Sequence, residues 1–408
     1  MINIQQRFRS LFSSANIKVI IAEDPKYKIG NTNLLWDFFY DPPHPDDWVH
    51  TLQIDRLMPA FYWDMNKTIF ALVNGKRTKD QLCLSNPETF DIVQDKLRIR
   101  MRSSPKTKYW SVSQGDNPEW CTCSKCAGQR PSDILITFVN KIAAKFPDKI
   151  ISTLAYFKTQ PPPSVIPLRN VQVMLTTIQL PKDKNLRTNT RNDVVDWRGY
   201  LNGWLKLTKN ILIWHYCTNF KNEVAPNPTL YSIIPDLMWW KSLGIKDYII
   251  QTNHAPGHEF TDIKSMMIDR TLTRSPWFSR LALNRIITEY YGPSAPFVKK
   301  YIALLHKRAR SVRSIINWWD LDEYKHTFLS EKSLDSYYEA LAGSLHVCTT
   351  VEQKNRVRDV YFQLWYADIG LYHDESVVEE FIDNVTRHGK VTVNEHNLLA
   401  LDWLKKQL

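Results

Sequence analysis

Between Lys108 and Leu272, short apolar runs alternate with segments of helical periodicity, and this alternation restricts the fold more than any other feature. KYWSVS (108–113), KIISTLAY (149–156), VQVMLTT (171–177), ILIWHY (211–216) and IKDYIIQ (245–251) have the length and the β-branched and aromatic content of strands. Helical segments separate them. In PSDILITFVNKIAAKF, the residues Ile134, Leu135, Phe138, Ile142 and Phe146 share one stripe, and Ser132 or Asp133 is placed to cap it. Further helices are expected around VVDWRGYLNGWLKL, around TLYSIIPDLMWWKSL with Gly244 as terminator, and from about Glu259 to Leu272. The stretch QPPPSVIP cannot be a regular helix and reads as a connection.

Strands that are apolar throughout belong to a parallel sheet covered by helices. The expected fold class is therefore α/β, with a TIM-like (β/α)8 barrel ahead of an open doubly wound sheet. No glycine-rich phosphate loop follows any strand, which disfavours the nucleotide-binding version. Only five clear strands occur from Lys108 onward, so residues 1–107 must supply the others and the barrel is short at that end. From Pro296 the pattern is helical, with YFQLWYADIGLY and NLLALDWLKKQL as apolar-faced segments. The expected organisation is an N-terminal segment over 1–47, a β/α barrel over 48–295 and a helical C-terminal domain over 296–408.

Composition narrows the function classes. The chain has 15 Trp, 18 Tyr and 17 Phe, far more than a disordered chain carries. Most of these rings belong in the core, and some could stack on flat ligands such as sugars. The net charge of +11 permits an anionic partner, but the basic residues are dispersed. Their densest run, Lys299–Arg313, has Tyr301, Leu304 and Leu305 at helical spacing and reads as a helix with one solvated face. No apolar run reaches the ~18 residues of a membrane span. The opening MINIQQRFRSLFSSANIKVIIAED lacks an unbroken apolar stretch and is a poor secretory signal.

In a β/α barrel the functional groups gather beyond the C-terminal ends of the strands. Those positions hold Gln114 and Asp116, then Tyr156, then Gln179, then Trp214, His215, Tyr216 and Asn219, then Gln251, Asn253 and His254. Such a mouth is rich in hydrogen-bonding groups and aromatic rings and poor in acids. Glycosidic cleavage needs two carboxylates, or one acid aided by a substrate N-acetyl group. Asp116 and Glu119 are the acids close behind one strand, and Glu259 opens the helix after another. A lone strand-end aspartate is as often a loop residue as a catalyst. As a general acid, Asp116 would need partial burial to keep its proton.

Six cysteines are present, and Cys121, Cys123 and Cys126 form CxCxxC. Three close thiols can converge on a tetrahedral ion, but a structural zinc site usually takes four ligands. Cys83, just before a helix expected to start near Asn86, is the best fourth candidate. A disulfide from Cys83 and a set of reduced thiols are the alternatives. The motif lies inside the β/α series rather than in a small separate module, which points to stapling a loop beside Asp116 rather than to reading DNA.

FALVNGKRTKDQLCLSNPE, SVSQGD, CTCSKC, ISTLAY with its Pro-rich continuation, NILIWHYCTNF and LGIKDYIIQ resemble, in order, the bacterial family named domain of unknown function 4838. The resemblance runs from about Trp48 to Leu305. It implies a glycoside-hydrolase-like barrel akin to β-hexosaminidases and α-glucuronidases, with some relatives acting as endo-β-N-acetylglucosaminidases on N-glycans. It also implies a periplasmic or extracellular setting. Asp116, Trp214, Tyr216, Asn219 and the cysteines match the family pattern. Gly115, Gln179, His215 and Ile250 depart from it, the last three standing where the family carries acids.

Three functions follow from these readings. The first is a glycoside-hydrolase-like protein acting on glycans, at N-acetylhexosamine linkages, with Asp116 and Glu119 as acids. Gln114, Tyr156, Gln179, Trp214, His215, Tyr216, Asn219, Gln251 and Asn253 would bind the sugar, and the cysteines would hold a structural zinc. The second is a catalytically impaired glycan-binding protein on the same barrel. The third is a metal-containing nucleic-acid-binding protein, whose signature would be a steep salt dependence of affinity.

Overall fold

The computed structural model describes residues 50–408 apart from 254–256, 274–279, 311, 313, 314 and 316. The 1–47 segment and His254 lie outside the described residues. The five expected strands all form. After a hairpin of β1 (Phe70–Val73) and β2 (Lys76–Leu82) come helix α1 (Pro87–Ser103), β3 (Tyr109–Ser111), α2 (Pro131–Lys145), β4 (Ile150–Ala155) and β5 (Val171–Thr176). The series continues with α3 (Asn192–Leu207), β6 (Ile211–Tyr216), α4 (Leu230–Ser242), β7 (Asp247–Gln251) and α5 (Thr261–Thr273).

Strands β3 to β7 make one parallel sheet in the order β3-β4-β5-β6-β7, each paired with its sequence neighbour. The result is a curled five-stranded half-barrel. Eight strands in a closed barrel are not present among the described residues; the β1–β2 pair is antiparallel and forms its own sheet. The reason is local chemistry. Asn74 and Gly75 both have positive φ, so the chain reverses at once and β2 returns along β1. Residues 50–58 contribute isolated bridges only, Leu52 pairing with Gln114 and Ile54 with Met58.

Every residue of β5 is buried, as a strand between a helical layer and a filled interior must be. Helix α1 starts where its cap dictates: Asn86 Oδ1 accepts the Glu88 N–H at 3.0 Å, and Pro87 occupies the first turn. Helix α2 is not capped by Ser132 or Asp133. It starts at Pro131, and Asp133 instead accepts the N–H and hydroxyl of Ser164 in the Pro-rich connection. Gly244 does follow the end of α4, with φ +82.

The chain beyond β7 is helical, with α6 (Arg280–Tyr291), α7 (Ala295–Ala309), α8 (Glu331–Leu341), α9 (Val351–Tyr372), α10 (Val378–His388) and α11 (Ala400–Gln407). In α7, Tyr301, Ile302 and Leu305 are buried while Lys300 and Lys307 stay in water, as the pattern of Lys299–Arg313 requires. The apolar core is continuous from Leu52 through the sheet to Leu404. No helix among the described residues is long and apolar enough to cross a membrane.

Candidate active site at the strand ends

Strand β3 ends at Ser111, and the chain beyond it is held tightly before it reaches Asp116. Gln114 is buried; its Nε2 donates to Thr159 Oγ1 at 2.8 Å, and its carbonyl meets His50 Nδ1 at 2.9 Å. Gly115 donates its N–H to Gln81 Oε1 at 3.0 Å, and Gln81 Nε2 reaches Asn117 Oδ1 at 3.2 Å. Glycine is required there because a Cβ would stand 2.1 Å from the Asp80 carbonyl oxygen. Asp116 then projects outward.

The Tyr156 hydroxyl, at the end of β4, donates to Asp116 Oδ1 at 2.9 Å. His50 Nε2 lies 3.6 Å from the same oxygen. Burial, followed by the neighbouring Asp116 charge, holds the Tyr156 phenol far above its ordinary range, so it stays a donor. Phe157, the next residue, has φ +47, a strained value for a bulky side chain and one often found at functional loops. The Asp116 side chain is 65% exposed, so the partial burial expected of a general acid is absent. Glu119 is also exposed, and its backbone N–H donates to Asn117 Oδ1 at 2.9 Å.

Strand β6 sends alternate side chains to opposite faces. Trp214 and Tyr216 stack at 5.7 Å and 13°, and Trp214 Nε1 donates to Gln251 Oε1 at 3.2 Å. Burial, ahead of any neighbouring charge, holds the Tyr216 phenol well above its ordinary range, so it stays protonated. His215 turns the other way. It is buried, packs edge-on against Trp240 of α4 at 5.0 Å and meets Thr177 Oγ1 through Nδ1 at 2.8 Å. Burial and then the Lys182 charge push it well below the ordinary histidine range, so it is a neutral core imidazole. Gln179 is exposed in the turn after β5.

Asn219 and Asn253 have other work. Asn219 donates to the Trp319 carbonyl at 3.0 Å and accepts the Trp319 N–H at 3.1 Å, stapling the segment after α7 to the end of β6. Asn253 donates to the Glu223 carbonyl at 2.6 Å and accepts from Lys264 Nζ at 2.6 Å. The structure thus joins Gln114, Asp116 and Tyr156 at the ends of β3 and β4, and separately joins Trp214, Tyr216 and Gln251 at the ends of β6 and β7. It commits His215, Asn219 and Asn253 to buried packing and hydrogen bonds.

A buried charged network just beyond the C-terminal ends of β6 and β7 is not evident from the sequence. Lys264 and Glu259 form an ion pair with both side chains fully buried, and Lys264 Nζ also donates to the Cys217 carbonyl at 2.7 Å. Glu259 does not open a helix, since α5 begins at Thr261. Desolvation raises its carboxyl to about 7, against the opposing pull of Lys264. Glu223 Oε2 lies 3.3 Å from His258 Nδ1, and His258 Nε2 meets the Thr392 carbonyl at 2.6 Å. Lys182, also fully buried, hydrogen-bonds Thr177, and burial lowers it to about 7. His50 was missed as well, because it lies far upstream of the strands. No local pattern in the sequence marks these charges as buried.

Cys83, Cys121, Cys123 and Cys126 converge, with all four sulfurs within 4.8 Å of one another, and could hold a metal ion. Cys83 Sγ lies 3.6 Å from Cys123 Sγ and 3.8 Å from Cys126 Sγ, and all six cysteines are free thiols. Hydrogen bonds from Cys126 and Cys83 hold the Cys121 thiol well below its ordinary range.

The family model for a domain of unknown function, DUF4838, matches residues 8–303. The chain belongs to this DUF4838 family. No curated protein matches it. Among solved structures, it is similar to the beta-N-acetylhexosaminidase from Bacteroides fragilis NCTC 9343, with 14% identity and a TM-score of 0.30. That match covers 56% of this chain and 45% of the other, so this DUF4838 chain spans less than half the length of that enzyme. It is also similar to CpGH84B, with 10% identity and a TM-score of 0.39 over 100% of this chain and 74% of the other. Both are distant structural similarities to glycoside hydrolases and carry no specific activity across.

Proposed function

We propose that this DUF4838 protein acts on glycans at the C-terminal ends of β3, β4 and β6, at N-acetylhexosamine linkages, with Asp116 as general acid once a bound sugar supplies the burial that its exposed side chain lacks in the free protein. The observation that carries the reading is the Tyr156–Asp116 hydrogen bond at 2.9 Å, with the stacked Trp214–Tyr216 pair at the same end of the parallel sheet. Tyr156 and His50 both address Oδ1, which fixes the carboxyl plane and leaves Oδ2 to face a glycosidic oxygen. Trp214 offers a flat apolar face to a sugar ring.

With one strand-end acid held in this way, the reading takes the substrate's own N-acetyl oxygen as the nucleophile, the arrangement that needs no second catalytic carboxylate. Glu119, in the same loop, is the nearest alternative in sequence. The five-stranded wall suffices for this site, and a closed (β/α)8 barrel is a further part of the proposal. So are a sugar-binding unit over 48–295 buttressed by the helices from 296, a zinc ion on the four cysteines, and a periplasmic or extracellular setting.

A second reading, a glycan-binding protein without turnover, is favoured by positions 215 and 250. His215 is sequestered against Trp240, and Ile250 is fully buried, so neither supplies an acid to the mouth. One experiment separates the two. Asp116→Asn should preserve glycan binding and reduce cleavage of a glycan with a poor leaving group by roughly 100-fold or more. An activated aryl glycoside, which needs little protonation, should lose less. Equal activity of Asp116→Asn and wild type on both substrates would remove Asp116 from the mechanism. Glycan binding by a wild type that cleaves neither substrate would establish the second reading.

A further inference from the structure

We propose that Cys83, Cys121, Cys123 and Cys126 bind one zinc ion as four thiolates, and that this ion clamps the β1–β2 hairpin to the loop carrying Asp116. The geometry fits a single ion. A zinc–sulfur bond of about 2.3 Å places the sulfurs of a tetrahedron about 3.8 Å apart. The separations of 3.6 and 3.8 Å from Cys83 to Cys123 and Cys126 bracket that value. Cys121, Cys126 and Cys83 are buried and Cys123 is half-buried, which suits a closed structural site rather than an open catalytic one.

The surroundings suit thiolates. The Leu72 N–H points at Cys121 Sγ at 3.3 Å, and Ser85 Oγ lies 3.3 Å from Cys126 Sγ. Backbone turns set the spacing: the N–H groups of Cys126 and Ala127 both bond to the Cys123 carbonyl at 2.8 Å. The remaining packing around the cluster is thin, consisting mainly of Ala71, Ile134 and partly buried neighbours such as Leu72, Leu84 and Trp120. A satellite core this small cannot hold a loop by burial alone.

What the clamp controls follows from connectivity. Cys83 comes directly after β2, and Cys121 lies in the same loop as Asp116. Between these two anchors, β2 grips the loop on both sides of Asp116. Gln81 bonds Gly115 and Asn117, and the Asp80 carbonyl accepts from Asn117 Nδ2 at 3.2 Å. Without the ion, hairpin and loop rely on these hydrogen bonds and on those from the Thr122 N–H and hydroxyl to the Leu72 carbonyl at 2.8 Å. Loss of zinc should therefore loosen residues 114–126 before the parallel sheet. The clamp depends on the glycan reading only in calling Asp116 an acid, and its test needs no turnover.

Purified full-length protein should contain about one zinc per chain. Strong chelation of the wild type should speed amide hydrogen exchange over residues 114–126 by roughly tenfold or more while strands β4 to β6 keep their protection. Cobalt added to the stripped, reduced protein should give the intense thiolate charge-transfer bands of a tetrahedral four-sulfur site. Cys123→Ser should weaken metal retention, and because the wild-type arms stand alone, a misfolded variant costs nothing. Iron in place of zinc, no bound metal with no cobalt spectrum, or a disulfide among the four would overturn the site. Exchange that is unchanged, or that rises evenly over the whole chain, would overturn the clamp.

Discussion

Lys264→Met tests the buried network just beyond the ends of β6 and β7. The amine makes three bonds inside the protein: to Glu259, to Asn253 Oδ1 at 2.6 Å and to the Cys217 carbonyl at 2.7 Å. Both side chains of the ion pair are fully buried. Methionine fills similar volume but leaves a carboxylate and two neutral acceptors without a donor. Removing one partner of such a pair costs about 3–5 kcal/mol, most of it the desolvated charge left behind. Denaturant unfolding followed by tryptophan fluorescence measures the loss.

The same experiment has a pH arm. The Glu259 carboxyl sits at about 7 in the folded protein and near its ordinary value when unfolded. Between those values the folded state holds the extra proton, so this group's contribution to stability rises as pH falls through 7. In the variant the lowering influence of Lys264 is gone and the acid keeps its proton to higher pH. The deficit of Lys264→Met should therefore be largest above pH 7 and shrink toward pH 5. Pairing it with Glu259→Met should recover part of the loss, because the orphaned charge goes too. A deficit under about 1 kcal/mol, or two single changes whose costs simply add, would refute the idea that this pair is coupled and dry.

Gly115→Ala should destabilise the protein by about 1–3 kcal/mol, since the new methyl must push the Asp80 carbonyl back by roughly 1 Å; thermal unfolding checks it. Lys182 is lowered to about 7 in the folded protein and titrates near 10.4 when unfolded, so stability should rise with pH between those values by up to about 1.4 kcal/mol per unit. Lys182→Met should flatten that rise, which unfolding curves from pH 7 to 10 would reveal.

Much of the frame was legible in the sequence because buried parallel strands write themselves as apolar runs. ILIWHY is β6 to the residue, and α1 starts beside Asn86, near where a helix was expected. The four-cysteine cluster was legible for a similar reason: close spacing in CxCxxC leaves a fourth thiol as the missing ligand. The β1–β2 hairpin was not read, because its second strand, KRTKDQL, is largely polar and exposed and carries no apolar run. The mouth was read only in part. Strand-end position alone cannot tell Tyr216, which stacks on Trp214, from His215, which alternation turns toward Trp240. Asn219 and Asn253 look like sugar ligands on paper, yet their partners, Trp319 and Lys264, lie where no local pattern reaches.

The order of the sheet carries a consequence for how the chain is made. Each strand from β3 to β7 pairs with the one synthesised just before it, so the sheet can grow by addition at a single edge, with no gap waiting for a distant segment. The charges beyond its strand ends follow the opposite schedule. Glu223 takes its backbone acceptor from Val393 and His258 meets Thr392, more than a hundred residues later. Until that segment emerges, the carboxylate of Glu223 and the ring of His258 can remain hydrated, and the wall stands while its edge is still wet. Nascent chains halted between β7 and Thr392 should therefore protect the strands yet leave α5 open to proteases, giving the helical region the role of the last seal rather than of a separate passenger.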